Sequence, residues 1–304
     1  MQQRLQKTRV DGVLLLDKPY KMSSNGALQR VRRLLCAAKA GHTGVLDPLA
    51  TGLLPLCFGE ATKFSSALLD ADKMYRATLC FGQTTTTGDV EGNVLYEAPI
   101  NFNRAALLRA MQHFMGEIEQ LPPMYSALKH QGRALYEYAR AGIEIARQTR
   151  RVTIRAFELL SFDGREAVVD IACSKGTYIR TLAQNLGEYL GSGAHLTALR
   201  RLRTGGFLLH NALTLEQIEA SPKRNALLLP PDVLLAHLPE WRLSPADASC
   251  FCQGQAVRVA QNRAIMARFR VYHQTGAFVG LAELRSDAQL YPIRLMVNPT
   301  SQTE

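Results

Sequence analysis

The chain has 304 residues, 47% of them hydrophobic and 20% charged, which excludes a disordered polymer and allows one large domain, or a large and a small one, around a sizeable core. Its formal net charge of +10 makes a polyanion the first partner to consider, although charge alone does not separate nucleic acid from an anionic membrane or from plain solubility. No apolar run approaches the roughly 18 residues a membrane span needs.

The first expected element is a short strand, Val10 to Leu16, closed by Lys18 and Pro19. Its apolar part is too short for a signal peptide, so a cytoplasmic protein is expected, with no membrane partner. Ser23, Ser24 and Asn25 offer N-caps to a helix. Ala27, Leu28, Val31, Leu34 and Leu35 recur there at helical spacing, with Arg30, Arg32 and Arg33 on the other face. The loop GHTGVLDPLATG follows, Gly41 to Gly52, and runs into the apolar stretch Leu53 to Phe58. Tyr75, Ala77, Leu79 and Phe81 alternate with Arg76, Thr78 and Cys80 as a half-buried strand, which ends in the polar turn GQTTTTGDVEG. Asn103 caps a helix expected to reach Met115, with Leu107, Leu108, Met111, Phe114 and Met115 on one face.

Pro122 and Pro123 break the chain. Met124 to Arg151 is basic, tyrosine-bearing and weakly amphipathic, and reads as an excursion from the core. Val152 to Leu160 and Ala167 to Cys173 read as strands, and Ile179, Leu182, Ala183, Leu186 and Leu190 mark a helix. Composition shifts near Pro230 and Pro231. The short runs Ala256 to Ala260, Phe269 to His273, Ala277 to Leu284 and Tyr291 to Val297 suggest a small appended β domain. The pattern favours an α+β fold with a mostly antiparallel mixed sheet flanked by helices.

Charge is uneven. Arg4, Lys7, Arg9, Lys18, Lys21, Arg30, Arg32, Arg33 and Lys39 face only Asp11 and Asp17 in the first forty residues. Lys129, Arg133, Arg140, Arg147, Arg150, Arg151 and Arg155 face Glu137 and Glu144 further on. Two such segments suit a long ligand gripped at several phosphates, or are two solvated faces. The six cysteines are scattered, three of them in apolar runs where they serve as small hydrophobes. Cys250 and Cys252 lack a second pair or a histidine at zinc spacing, so no metal site is expected and no disulfide framework is evident.

The loop Gly41 to Gly52 has three possible readings. A phosphate loop requires a lysine directly after a glycine, which is missing, and Asp47 would repel phosphate. A hydrolase requires a nucleophile elbow, and none is present. A catalytic carboxylate on a rigid loop is the third: Pro48 restricts Asp47 to extended geometry, Gly41, Gly44 and Gly52 permit tight turns and close approach, and Thr43 and Thr51 can bond loop backbone. Ordinary Asp-Pro-Gly turn chemistry competes with that reading, and local physics leaves both open.

The longer stretch GHTGVLDPLATGLLPLCFGEATKF, residues 41 to 64, resembles the signature of the TruB family of tRNA pseudouridine synthases. GVLLLDKPYKMSS at 12 to 24, KMYRATLCFGQTTTTGDVEG at 73 to 92, CSKGTYIRTLAQNLG at 173 to 187 and LTALRRLRTGGF at 196 to 207 resemble its other motifs, in order. The resemblance implies a pseudouridine synthase catalytic domain over 1–230, an RNA-gripping insertion near 124–151 that is mobile without RNA, and a small β-rich PUA-like RNA-binding domain over 240–304. It implies isomerisation of uridine 55 in the T loop of tRNA, with the target base flipped out and with no cofactor or metal.

By the same resemblance Asp47 is the essential carboxylate. It attacks the sugar, attacks the base or removes a sugar proton, and the sequence leaves those routes open. Arg180 pairs with Asp47 in a bidentate geometry and orients it, Tyr75 stacks on the base, and Tyr178 and Leu199 line the uracil pocket. His42 helps hold the flipped nucleotide at the entrance, in a positioning role. Where relatives carry an extra acidic residue among the threonines, this chain reads TTTTGD, with Asp89 and Gly92 retained. A monomer acting on tRNA without guide RNA is expected, against two alternatives: an RNA-binding or tRNA-folding protein without essential catalysis, and an RNA-guided relative.

Overall fold

The structure, a computed structural model, describes residues 7–259 and 267–297. Arg4 of the first basic segment, Ala260 of the run expected at 256–260, and the end of the expected C-terminal domain lie outside the described residues. In chain order the first half comprises β1 (Gly12–Lys18), α1 (Ser24–Leu34), β2 (Ala40–His42), β3 (Thr51–Phe58), α2 (Ser66–Leu69), β4 (Lys73–Phe81), β5 (Gln83–Thr85), β6 (Val94–Glu97), α3 (Arg104–His113) and β7 (Gly116–Gln120). Then come β8 (Lys129–His130), β9 (Arg133–Ala134), α4 (Leu135–Arg140), β10 (Arg150–Phe162), β11 (Glu166–Cys173), α5 (Ile179–Tyr189), β12 (Ala194–Thr204), β13 (Phe207–Leu208) and α6 (Leu215–Ala220). The last part holds β14 (Glu240–Leu243), α7 (Pro245–Cys252), β15 (Val257–Arg258), β16 (Arg268–His273), β17 (Phe278–Leu284) and β18 (Gln289–Leu295).

The central sheet runs β1-β3-β12-β4-β11-β10-β7, with β2 pairing β3 and β13 pairing β12. Along that path β3 and β12 are parallel and the other neighbours antiparallel, as the α+β reading expected. β1 is apolar throughout because both of its faces are covered. Leu14 and Leu16 point into the main core and Val13 and Leu15 into a second one. Full burial of each such side chain is worth roughly 1.5–3 kcal/mol before entropy is counted. α1 begins where expected, with the Ser23 hydroxyl accepting from the Gly26 N–H, and buries Ala27, Leu28 and Val31. α3 is capped by Asn103 but ends at His113, short of Met115. Leu107, Ala110 and Met111 form its buried stripe, and Leu108, a turn position off that stripe, is exposed.

β12 is central, and its parallel contact with β3 is close. Gly52 has φ +99°, and a Cβ there would overlap the carbonyl oxygen of Arg201. Glycine is therefore required for the loop after Asp47 to enter the sheet at this point. The C-terminal strands form a separate five-stranded sheet, β14-β16-β17-β18-β15, with its own core around Phe251, Val271 and Leu290. This sheet packs on the second core through Leu281 and Phe278, the ring of Phe278 meeting Phe64 edge-on at 5.5 Å. Met124 to Arg151 leaves the central sheet between β7 and β10. It carries the hairpin β8–β9 and the short α4, whose Leu135 is buried while Lys129, Arg133 and Arg140 are exposed.

Candidate active site

The loop between β2 and β3 is pinned at several points. Ser24, buried in the first turn of α1, accepts a hydrogen bond from the Leu46 N–H at 2.7 Å and donates to the Leu46 carbonyl at 3.0 Å. Leu46, Leu49 and Ala50 enter the main core. The Ala50 N–H closes a turn on the Asp47 carbonyl, and the Lys21 N–H donates to the Pro48 carbonyl. Asp47 is thus held between two apolar pegs with its side chain 37% exposed. Of the three glycines singled out, Gly44 (φ +90°) and Gly52 need the left-handed region. Gly41 does not: it lies in β2 without a positive φ, and an added Cβ would meet no other part of the chain, so the tight turn expected there is corrected.

Arg180 stands in the first turn of α5 and is buried. Its Nη2 lies 2.8 Å from Asp47 Oδ2 and donates to the Tyr125 carbonyl at 2.7 Å. Nη1 donates to the Thr87 carbonyl at 2.8 Å, and Nε faces Asp89 Oδ2 at 3.7 Å. The expected bidentate pair with Asp47 is therefore replaced by a four-way junction in which one nitrogen serves Asp47 and the others tie down the turn after β5. Asp89, itself buried, accepts from the Thr87 hydroxyl and the Glu91 N–H. The motif had kept Asp89 in view without giving it a task.

Asp47, Tyr75, Tyr178, Arg180 and Leu199 all line one cavity of about 320 Å³, together with Lys73, Arg201 and residues 126–128 of the insertion. Tyr75 is buried beside Ala77 and Leu79 and lines the cavity, and burial raises its phenol above the ordinary tyrosine range. His42 is not brought to the cavity wall. It sits half-buried on β2 with Nδ1 lacking a hydrogen-bond partner, and burial, then the nearby Arg201, lower its pKa.

Three buried cations escaped the sequence reading as site residues. Arg201, directly across from Tyr75 in the β12–β4 ladder, donates from Nε to the Leu53 carbonyl at 2.7 Å and has Nη2 without a partner. The alternation Leu199, Arg200, Arg201 signals it, since β12 puts Leu199 and Arg201 on one face. Lys73 caps the carbonyls of Leu68, Leu69 and Ala71 from the cavity floor. Lys18, fully buried at the end of β1, donates to the carbonyls of Pro19 and Met22.

Burial pushes the Lys18 amine down to about 8, partly offset by the attraction of Asp47. The folded protein therefore releases this proton at lower pH than the unfolded chain does. Stability from this group rises as pH climbs from the folded value toward the ordinary lysine value. The stability of the native protein relative to K18M is expected to increase between about pH 8 and pH 10. Urea unfolding of both across that window checks it, and a constant difference would refute the assignment.

Among the described residues, no group of three or more His, Cys, Asp or Glu side chains is disposed to hold a metal ion. No helix among them is long and apolar enough to cross a membrane. Burial raises the Cys57 thiol to about 12 and Cys173 to about 11, which suits small hydrophobes rather than nucleophiles.

Residues 32–179 match the TruB family pseudouridylate synthase N-terminal domain, 180–236 the tRNA pseudouridylate synthase B C-terminal domain, and 239–296 the pseudouridine synthase II TruB C-terminal domain. A curated relative from Chromobacterium violaceum, named tRNA pseudouridine synthase B, is 61% identical over 97% of this chain and 97% of its own length. One of the same name from Azoarcus sp. is 54% identical over 99% of this chain and 100% of its own. A solved chain from the structure of an H/ACA RNP bound to a substrate RNA containing 2'-deoxyuridine superposes with TM-score 0.72 at 22% identity, covering 95% of this chain and 86% of that one. That likeness bears on the fold alone.

Proposed function

The chain belongs to the TruB family of pseudouridylate synthases and has the pseudouridine synthase fold, and from that premise we propose that it isomerises uridine 55 in the T loop of tRNA, with Asp47 as the catalytic carboxylate. The observation that carries the reading is the cavity that a loop-anchored Asp47, paired with the buried Arg180, shares with Tyr75. The names of the 61% and 54% identical relatives support tRNA as substrate.

In this isomerisation the N1–C1′ bond breaks and a C5–C1′ bond forms, while C5 loses a proton and N1 gains one, so no oxidant, reductant or cofactor is consumed. A T-loop uridine reaches Asp47 only when flipped out of its stack, at a cost of a few kcal/mol that stacking and pocket hydrogen bonds offset. Tyr75 stacks on the base, with Tyr178 and Leu199 closing the sides. His42, off the cavity wall, is assigned to the flank of the flipped nucleotide. The cavity is rich in buried cations, and the +10 chain offers phosphate contacts outside it. Residues 240–304 are proposed as a second RNA-binding unit beyond the catalytic domain, 1–230.

Two assays test this. Purified protein incubated with a bare T-arm hairpin should convert the uridine at position 55, and no product without a guide RNA would favour the RNA-guided alternative. Deleting residues 130–148, which removes Arg133, Arg140 and Arg147, should weaken tRNA binding and lower the slope of log affinity against log salt by up to about 2–3. An unchanged slope would show that the insertion is not an RNA clamp.

A further inference from the structure

Gln120 is the last residue of β7, and Arg150, its register partner across the ladder, is the first of β10. These two residues are the root from which the insertion leaves the sheet. Gln120 is 1% exposed, yet its side chain bonds nothing within the sheet or the insertion. Its Oε1 accepts from the Tyr178 N–H at 3.0 Å, and its Nε2 donates to the Tyr178 carbonyl at 3.3 Å. Arg150 reaches the same residue from the other strand, its guanidinium 5.6 Å from the centre of the Tyr178 ring. Tyr178 is the N-cap of α5 and has no side-chain cap of its own, and Arg180 lies two residues on.

We propose that Gln120 is a positioning residue for the pseudouridine synthase reaction: its buried carboxamide clamps the backbone of Tyr178 and so aims the Tyr178 ring and the Arg180 guanidinium at Asp47, with Arg150 steadying the ring. The inference rests on the catalytic reading above. A carboxamide fits because the N-cap backbone presents a donor and an acceptor side by side, and only a group carrying both answers both. The root of the insertion is thereby joined to the catalytic pair through bonds rather than through packing alone. Arg180 makes a second link from the same nitrogen that serves Asp47, through the Tyr125 carbonyl.

The test uses the full chain and single-turnover pseudouridine formation, with tRNA binding measured in parallel for native protein, Q120E and D47N. An ionised carboxylate keeps the acceptor, loses the donor and repels the Tyr178 carbonyl. A buried carboxyl titrates above its usual range, and its neutral form restores both bonds. Q120E should be slowed about 10–100-fold at about pH 8, with affinity within about twofold of native, and its rate relative to native should recover toward about pH 6. A ratio within about twofold of native at every pH, or one depressed equally at every pH as lost packing would give, overturns the proposal. Should Q120E not fold, half-exposed Arg150 carries the test: R150M should lower kcat several-fold with KM unchanged, and a KM effect alone overturns the proposal. Native protein inactive on tRNA would overturn the underlying reading, and this inference with it.

Discussion

Asp47→Asn is expected to abolish pseudouridine formation while the protein still folds and still binds tRNA. The substitution preserves shape almost atom for atom. The loop is secured by Leu46, Leu49, Ala50 and the two Ser24 bonds, none of which involves the carboxylate. Arg180 keeps its bonds to the Thr87 and Tyr125 carbonyls and its approach to Asp89. What disappears is the negative charge, and with it any capacity to act on sugar or base. A fall of at least about 10³-fold in single-turnover rate is expected, with tRNA affinity within a few-fold of native. Activity within tenfold of native would sink the assignment of Asp47. Loss of binding in step with activity would instead mark the carboxylate as part of the RNA interface. The same comparison disposes of the non-catalytic alternative, because an RNA-folding protein would not notice the change.

How much of this was legible in the sequence differs from residue to residue. β1, β4 and α1 were readable because each has one dominant periodicity and a clear cap or turn. β12 was harder. Leu199 to Arg203 reads as a charged run: the alternation puts Arg201 on the face of Leu199, but nothing local says that this face is buried at a cavity while Arg200 reaches out to Asp17. Its burial depends on β3 and β4 flanking it, which is a long-range fact. Asp47, Tyr75, Tyr178, Arg180 and Leu199 converge on one cavity from four separate segments, so no window of the sequence could reveal their proximity. Resemblance to a family supplied the set, and geometry supplies the wiring. The missed pairing of Asp89 with Arg180 and the missed bonds of Gln120 to Tyr178 follow the same rule, since each partner is distant in sequence; the bonds of Asp89 to Thr87 and Glu91 are local turn chemistry and say nothing of Arg180.

Arg180 is where that wiring carries the greatest risk, and Arg180→Met should lose stability and activity together. Methionine replaces the stem of the side chain but none of its charge. Asp89 is then left buried with hydrogen bonds from Thr87 and Glu91 and no opposing cation within ion-pair reach among its described contacts. Stripping one partner from a buried pair costs about 3–5 kcal/mol, because the remaining charge is uncompensated. Asp47, more exposed, contributes little to that loss. Catalysis should fall by about 10²-fold or more, since the carboxylate loses the group that aims it. Adding D89N to R180M separates the two effects. A neutral amide still accepts the Thr87 and Glu91 bonds and needs no counter-charge, so roughly 2 kcal/mol of stability should return while activity stays low. Denaturant melts and single-turnover rates on both variants decide the matter. Recovered activity in the double variant would mean that Arg180 serves only to neutralise Asp89. Unrecovered stability would mean that the lost energy lies in the Thr87 and Tyr125 carbonyl bonds, which tie the turn after β5 and the base of the insertion to Arg180.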